Sequence, residues 1–302
     1  MAQKSIADNS GYTHFMVIIV LTLIASMLPE VIFRELLGTY PVWLAFVRLI
    51  ILFIAGSVFQ YQKNEQISKY IIVLEVIVIF EMITRIIFLS QIWQDTFDST
   101  SFVGNFGGSI VLRVIGAIAV VVTMILLFKS PRAVYLTKGD LSTKAEAIKW
   151  LGIKNDSISW GKLAMISAVL ISIGTVLLTV FTVTGSSANL NPDKLIKYFP
   201  FVILFALFNS LSEGIIFRSA VLGSLKDVLP KHQAIFIAAL IFGIGHYYGA
   251  PSGILGVFMS GLLGWYMCRS MYETKGFVSS WVIHFMQDAV IFSTILLYGH
   301  YT

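Results

Sequence analysis

Three short stretches in the last third of the chain place acids and bases inside otherwise apolar sequence. "SEGIIFR" carries Glu213 and Arg218, "FGIGH" carries Phe242 and His246, and "HFMQD" carries His284 and Asp288. A spacing of four puts both members of a pair on one helix face, so His284 and Asp288 point together and Phe242 lies one turn from His246. Any one of these histidines, taken alone, reads as a satisfied core imidazole, and Glu213 alone reads as the partner of a buried arginine. A carboxylate and two imidazoles on three successive segments, with a second carboxylate one turn from one of them, make a set able to activate water inside a membrane.

The elements that must position this set are membrane spans. Of 302 residues, 57% are hydrophobic and 12% charged, and the mean hydropathy is +0.85, which excludes an ordinary soluble domain. A spanning helix needs roughly 20 mainly apolar residues. Nine stretches satisfy this, near 12–36, 41–62, 69–95, 108–129, 160–184, 198–225, 231–247, 252–271 and 276–298. They predict an all-α polytopic integral membrane protein with about eight to nine transmembrane helices. Four lie in 1–129, a cytoplasmic linker covers 130–159, and 160–302 forms a C-terminal transmembrane domain. With the helix rise of about 1.5 Å per residue, Glu213, His246 and His284 all fall in one buried layer. The first span reads as a retained helix rather than a cleaved signal. The lone Cys268 reads as a helix residue with no special chemistry.

A net charge of +5 does not point to nucleic acid here, because fourteen of the 21 Lys and Arg fall on the loops of one side. That bias predicts a cytoplasmic N-terminus and an outer C-terminus; the expected location is the plasma membrane of a prokaryote, with the lipid bilayer as the first partner. Seven of the fourteen lie at 129–162, in the linker and at its two edges, as a solvated loop or resting on anionic headgroups. Within the linker, "STKAEAIKWLG" (142–152) predicts a short surface helix. The first half carries Arg48, Glu75, Glu81, Arg85 and Arg113 at membrane depth, read as structural pairs, with Glu81 and Arg85 four apart on one face. A substrate or ion path is the other reading of these charges.

"EGIIFR", "FGIGH" and "HFMQD", joined through "YYGAPSGILGVFMSGLLGWY", resemble the CPBP family of intramembrane proteases, which includes CAAX prenyl endopeptidases and the bacteriocin-processing or immunity (Abi-type) proteins. The family pattern is EExxxR, then FxxxH, then HxxxN or HxxxD, and the resemblance covers about 198–291. It implies a CPBP-type catalytic helical core in the C-terminal half, acting on a membrane-associated peptide or protein. It further implies that Glu213 and His246 activate the attacking water while His284 and Asp288 surround the scissile carbonyl. Other intramembrane protease patterns fit worse: "FMSG" has Phe258 where a GxSG motif needs glycine, and neither HExxH nor GxGD is present.

Two chemistries remain open at this level. Without metal, Glu213 is the general base, His246 shares the proton and His284 donates to the oxyanion, leaving Asp288 to be protonated or to orient His284. With Zn²⁺, Glu213, His246 and His284 form a His₂Glu ligand set. The chain departs from the family pattern at Gly214, which stands where a second glutamate is expected. On a regular helix Gly214 shares a face with Arg218, so the change removes an ion pair and admits a closer neighbouring helix. Arg218 must then find another acceptor or snorkel to the surface, and Gly214→Glu is expected to be tolerated. The departure also keeps a non-catalytic membrane scaffold in view, and the buried charges keep a transporter.

Overall fold

The computed structural model describes residues 2–97, 100–183, 192–249 and 251–298. Its elements in chain order are α1 (Ala2–Ala25), α2 (Leu28–Leu37), α3 (Trp43–Tyr61), α4 (Glu65–Phe88), α5 (Gln91–Thr96) and α6 (Phe102–Phe128). After the linker come α7 (Trp160–Val183) and α8 (Pro192–Glu213), a π-helical turn (Gly214–Ser219), α9 (Ala220–Leu225), α10 (Lys231–Ile244), α11 (Gly253–Thr274) and α12 (Val278–Tyr298). Side-chain caps mark several starts: Asn64 accepts from the Ile67 amide, Ser90 from Trp93 and Ser101 from Gly104.

The polytopic all-α expectation holds, and fewer helices than the expected eight to nine meet the length and composition of a span among the described residues. Among the described residues six helices are long and apolar enough to cross a membrane, or seven if a bent pair counts as one. The bent pair is the first predicted span, which breaks by 54° between α1 and α2. Two other predicted spans fall short for separate reasons. α4 carries Glu75, Glu81 and Arg85 along its apolar stretch, and α10 has 14 residues, about 21 Å of helix against a hydrocarbon core of about 30 Å. Conversely, 192–225 is a single 34-residue span made of α8, the π turn and α9.

The charges of the first half pair differently from the one-helix expectation. Glu81 binds Arg48, not Arg85: Arg48 Nη1 and Nη2 each donate to one carboxylate oxygen at 2.8 Å. The same guanidinium donates to the carbonyls of Ile24, Ala25 and Ser26, at the break between α1 and α2. A helix end inside a membrane leaves carbonyls that water cannot reach, and Arg48 satisfies them. Arg85 instead faces Glu30 at 3.7 Å and donates to the Tyr40 carbonyl. Geometry decides this: the bidentate fork across helices is better than a monodentate pair along one. Glu75 has no ion pair among the described residues.

The predicted helix at 142–152 does not form. The Ala145 amide goes to the Ile158 carbonyl, and that of Glu146 to Glu273 Oε2, so tertiary acceptors replace the i−4 carbonyls a helix would use. Only a 3₁₀ turn at Lys149–Leu151 remains, closed by the Ile148–Ile153 bridge. Glu273 also accepts from Trp160 Nε1, Lys231 and Arg269, which clamps the linker onto the ends of α10 and α11. Two of the basic residues assigned to one side are therefore engaged in ion pairs there.

One hydrophobic core links both halves, with Ile18, Leu74, Ile216, Leu222 and Ala238 in a single buried cluster. α8 lies between α12 and α6, and α10 packs along α11. This arrangement brings α6, α8, the π turn, the end of α10 and α12 around one point. Cys268 is fully buried in α11.

Candidate active site

Glu213 is the last residue of α8, and the chain immediately winds wider into the π turn. The wider winding has a geometric effect that a regular helix would not give. Closing i→i+5 brings residue i+5 back over residue i, so Arg218 returns to the side that Glu213 occupies. The two side chains bracket one imidazole: Arg218 Nη2 lies 3.0 Å from His284 Nδ1, and Glu213 Oε2 lies 3.6 Å from His284 Nε2.

These contacts fix the histidine tautomers. A guanidinium can only donate, so His284 Nδ1 accepts and its proton sits on Nε2, toward Glu213 and toward Asp288 Oδ1 at 3.4 Å. His246 is the opposite case. It lies two residues past the end of α10, where its Nδ1 meets the Phe242 carbonyl at 2.8 Å; a carbonyl can only accept, so Nδ1 carries the proton and Nε2 presents its lone pair. That lone pair faces Glu213 Oε2 at 3.8 Å. Phe242 separates the two imidazoles, with ring centroids 4.4 Å from His246 and 5.7 Å from His284, and Arg218 sits over its face. Gly243, in the same motif, lets α11 approach: a Cβ there would stand 2.6 Å from the Val257 carbonyl oxygen.

The four predicted residues Glu213, His246, His284 and Asp288 thus converge, with Arg218 and Phe242 beside them. Two further residues join that the motifs did not single out for this site. Asn209, one turn before Glu213 on α8, donates through Nδ2 to Asp288 Oδ2 at 2.9 Å. Arg113, from α6, donates through Nη1 to Glu213 Oε1 at 2.6 Å and also to Asn209 Oδ1. Arg113 was visible as a charge at membrane depth, and Asn209 precedes Glu213 by the same four residues that join the other pairs. Spacing was a usable signal for Asn209, whereas nothing local linked Arg113 to a segment 100 positions away.

Glu213 is therefore a carboxylate with two unlike oxygens. Oε1 is taken by Arg113, while Oε2 is buried, has no hydrogen-bond partner among the described residues, and lies between the two Nε2 atoms.

Zinc does not fit this donor set. A metal-bound histidine offers a lone pair to the metal and donates its other N–H to an acceptor. His284 does the reverse, with a donor on Nδ1 and its own proton on Nε2. Glu213 is already neutralised by Arg113, and among the described residues no three His, Cys, Asp or Glu side chains are arranged to hold a metal ion.

At Gly214 a Cβ would stand 2.6 Å from Phe277 Cζ and 2.7 Å from Arg218 Nη2. The closer neighbour expected from the glycine is thus the Phe277 ring, just ahead of α12. Arg218 does not snorkel: it is fully buried, its new acceptor is His284, and its Nε and Nη1 lack partners among the described residues. The tolerance expected of Gly214→Glu therefore gives way to the opposite result. The variant must displace the Phe277 ring or pull Arg218 off His284, and should unfold at lower temperature in detergent, a loss of about 1–3 kcal/mol.

Residues 195–290 match the model of a protein family described as "Rce1-like: Type II CAAX prenyl endopeptidase Rce1-like". No curated protein and no solved structure matches the chain. The matched segment begins on α8 and ends on α12, so it contains every motif residue of the site and leaves Arg113 outside.

Proposed function

We propose that this integral membrane protein is an intramembrane endopeptidase, a reading supported by the match of residues 195–290 to the Rce1-like type II CAAX prenyl endopeptidase model. It hydrolyses a peptide bond near the prenylated end of a membrane-associated substrate, using water activated by Glu213 without metal. The observation that carries this reading is the buried, unpartnered Oε2 of Glu213 between two imidazoles of opposite tautomer.

Each group has a task that its protonation allows. Glu213 Oε2 takes one proton from water as the water oxygen bonds to the scissile carbonyl carbon, and the C=O electron pair moves onto oxygen. His246 Nε2, a lone pair pointing at the same place, accepts a hydrogen bond from that water and orients it. His284 Nε2–H donates to the developing oxyanion. Collapse of the intermediate breaks the C–N bond, and the proton on Glu213 passes to the leaving nitrogen. Asp288 does not face the oxyanion as a free charge in this scheme. One oxygen is held by Asn209 and the other lies on the His284 Nε2 side, so it orients both.

The test is cleavage of an internally quenched farnesylated CAAX peptide by purified protein in liposomes. Activity should survive exhaustive treatment with a zinc chelator, in protein whose metal content has been measured as far below one per chain. Loss of activity on chelation with recovery on adding Zn²⁺ overturns the metal-free mechanism. No cleavage by wild type of this peptide, or of unprenylated and leader-type peptides, overturns the protease reading.

A further inference from the structure

We propose that Arg113 is a catalytic residue of this site, the counter-ion that follows the negative charge from Glu213 to the tetrahedral oxyanion. This rests on the peptidase reading above and goes beyond it, because Arg113 lies outside the matched segment and comes from the first half of the chain.

Three observations support the assignment. First, the only donor Arg113 uses is Nη1, on Glu213 Oε1 and Asn209 Oδ1; Nε and Nη2 have no partner among the described residues. Second, its side chain is 43% exposed, while Glu213 is 9% exposed. α6 is the most apolar of the spans, and Arg113 stands eleven residues in, about 17 Å along the helix. A guanidinium opened to lipid tails at that depth is costly, which favours its use on water or a polar group of the substrate. Third, the charge balance of the reaction needs it. Before attack the negative charge sits on Glu213. When water gives its proton to Oε2, Glu213 becomes neutral, and the charge appears on the former carbonyl oxygen. Arg113 then loses its carboxylate partner at the moment a new anion forms beside it. Arg218 is the other guanidinium at the site, and it is buried and committed to His284 Nδ1. Asp288, the remaining carboxylate, is held through Asn209, to which Arg113 is also bonded, so the Arg113 side chain can turn while Asn209 keeps Asp288 in place.

The experiment uses full-length protein in liposomes, the quenched farnesylated CAAX peptide, and the same peptide with a phosphonate replacing the scissile amide. Arg113→Met should lower kcat about 100-fold with little change in KM, and weaken phosphonate inhibition by a similar factor. Arg113→Lys should recover part of kcat, and free guanidinium, but not urea, should partly rescue Arg113→Gly. The proposal is overturned if Arg113→Met keeps or raises kcat, if KM rises by as much as phosphonate affinity falls, or if no variant is rescued while thermal unfolding matches wild type. If Arg113→Met does not fold, the Lys variant and the guanidinium rescue decide by the same criteria. Failure of the underlying reading is separable: there wild type cleaves none of the peptides, or Glu213→Gln cleaves as well as wild type.

Discussion

Glu213→Gln should reduce cleavage of the farnesylated CAAX peptide by about two to four orders of magnitude, what removal of a positioned general base costs. Glutamine keeps the shape of the residue. Its carbonyl oxygen can replace Oε1 and still accept from Arg113 Nη1, so the link between α6 and α8 is retained. The amide nitrogen then occupies the place of Oε2, where it has no basic lone pair and meets the proton on His284 Nε2. The loss should appear in kcat, with KM and the thermal unfolding temperature close to wild type. A variant that retained a tenth or more of wild-type kcat would remove Glu213 from the role of base, and with it the metal-free mechanism.

The residues of that mechanism were legible in the sequence because each pair sits within one helical turn. His284 and Asp288, or Phe242 and His246, declare a common face through spacing alone, and the order of the motifs declares neighbouring segments. The π turn was not legible. Assuming 100° per residue separates Glu213 from Arg218 and pairs Arg218 with position 214; a wider turn over Gly214–Ser219 places both side chains on His284. Pattern reading on α4 had a similar limit. Glu81 and Arg85 fit an i,i+4 pair, but a fork from α3 and three freed carbonyls at the α1–α2 break outcompete it, and neither is visible from α4 alone. α4 and α10 are the two expected spans that do not meet the length and composition of a membrane crossing, α4 through its charges and α10 through its length.

The N-terminal helices acquire a definite relation to the site from these contacts. Arg48 holds the broken first span against α3 and α4 through five acceptor groups. α4 packs against α6 and α9, and α6 delivers Arg113 to Glu213. The rigidity of the first half therefore sets the position of its own Arg113 against Glu213 of the second.

His284→Asn should lower kcat about 100- to 1,000-fold, the cost of one oxyanion donor, without the loss of stability that alanine would bring. Asparagine places a carbonyl oxygen close to where Nδ1 stands, so Arg218 Nη2, buried with two other donors already unpartnered, keeps its acceptor. What disappears is the Nε2–H that faces Glu213 and Asp288. His284→Gln reaches further and puts an amide N–H near Nε2, so it should retain more activity than asparagine although it gives up the Arg218 contact. Arg218→Met acts on the same donor from behind, by freeing the imidazole to adopt the other tautomer. Its effect on kcat should therefore be far from additive with that of His284→Asn, the double variant being little worse than the worse single. Rates measured on the four proteins check this directly. Additive losses would mean that Arg218 acts on the reaction independently of His284, and a fully active His284→Asn would mean that the oxyanion is held by another group.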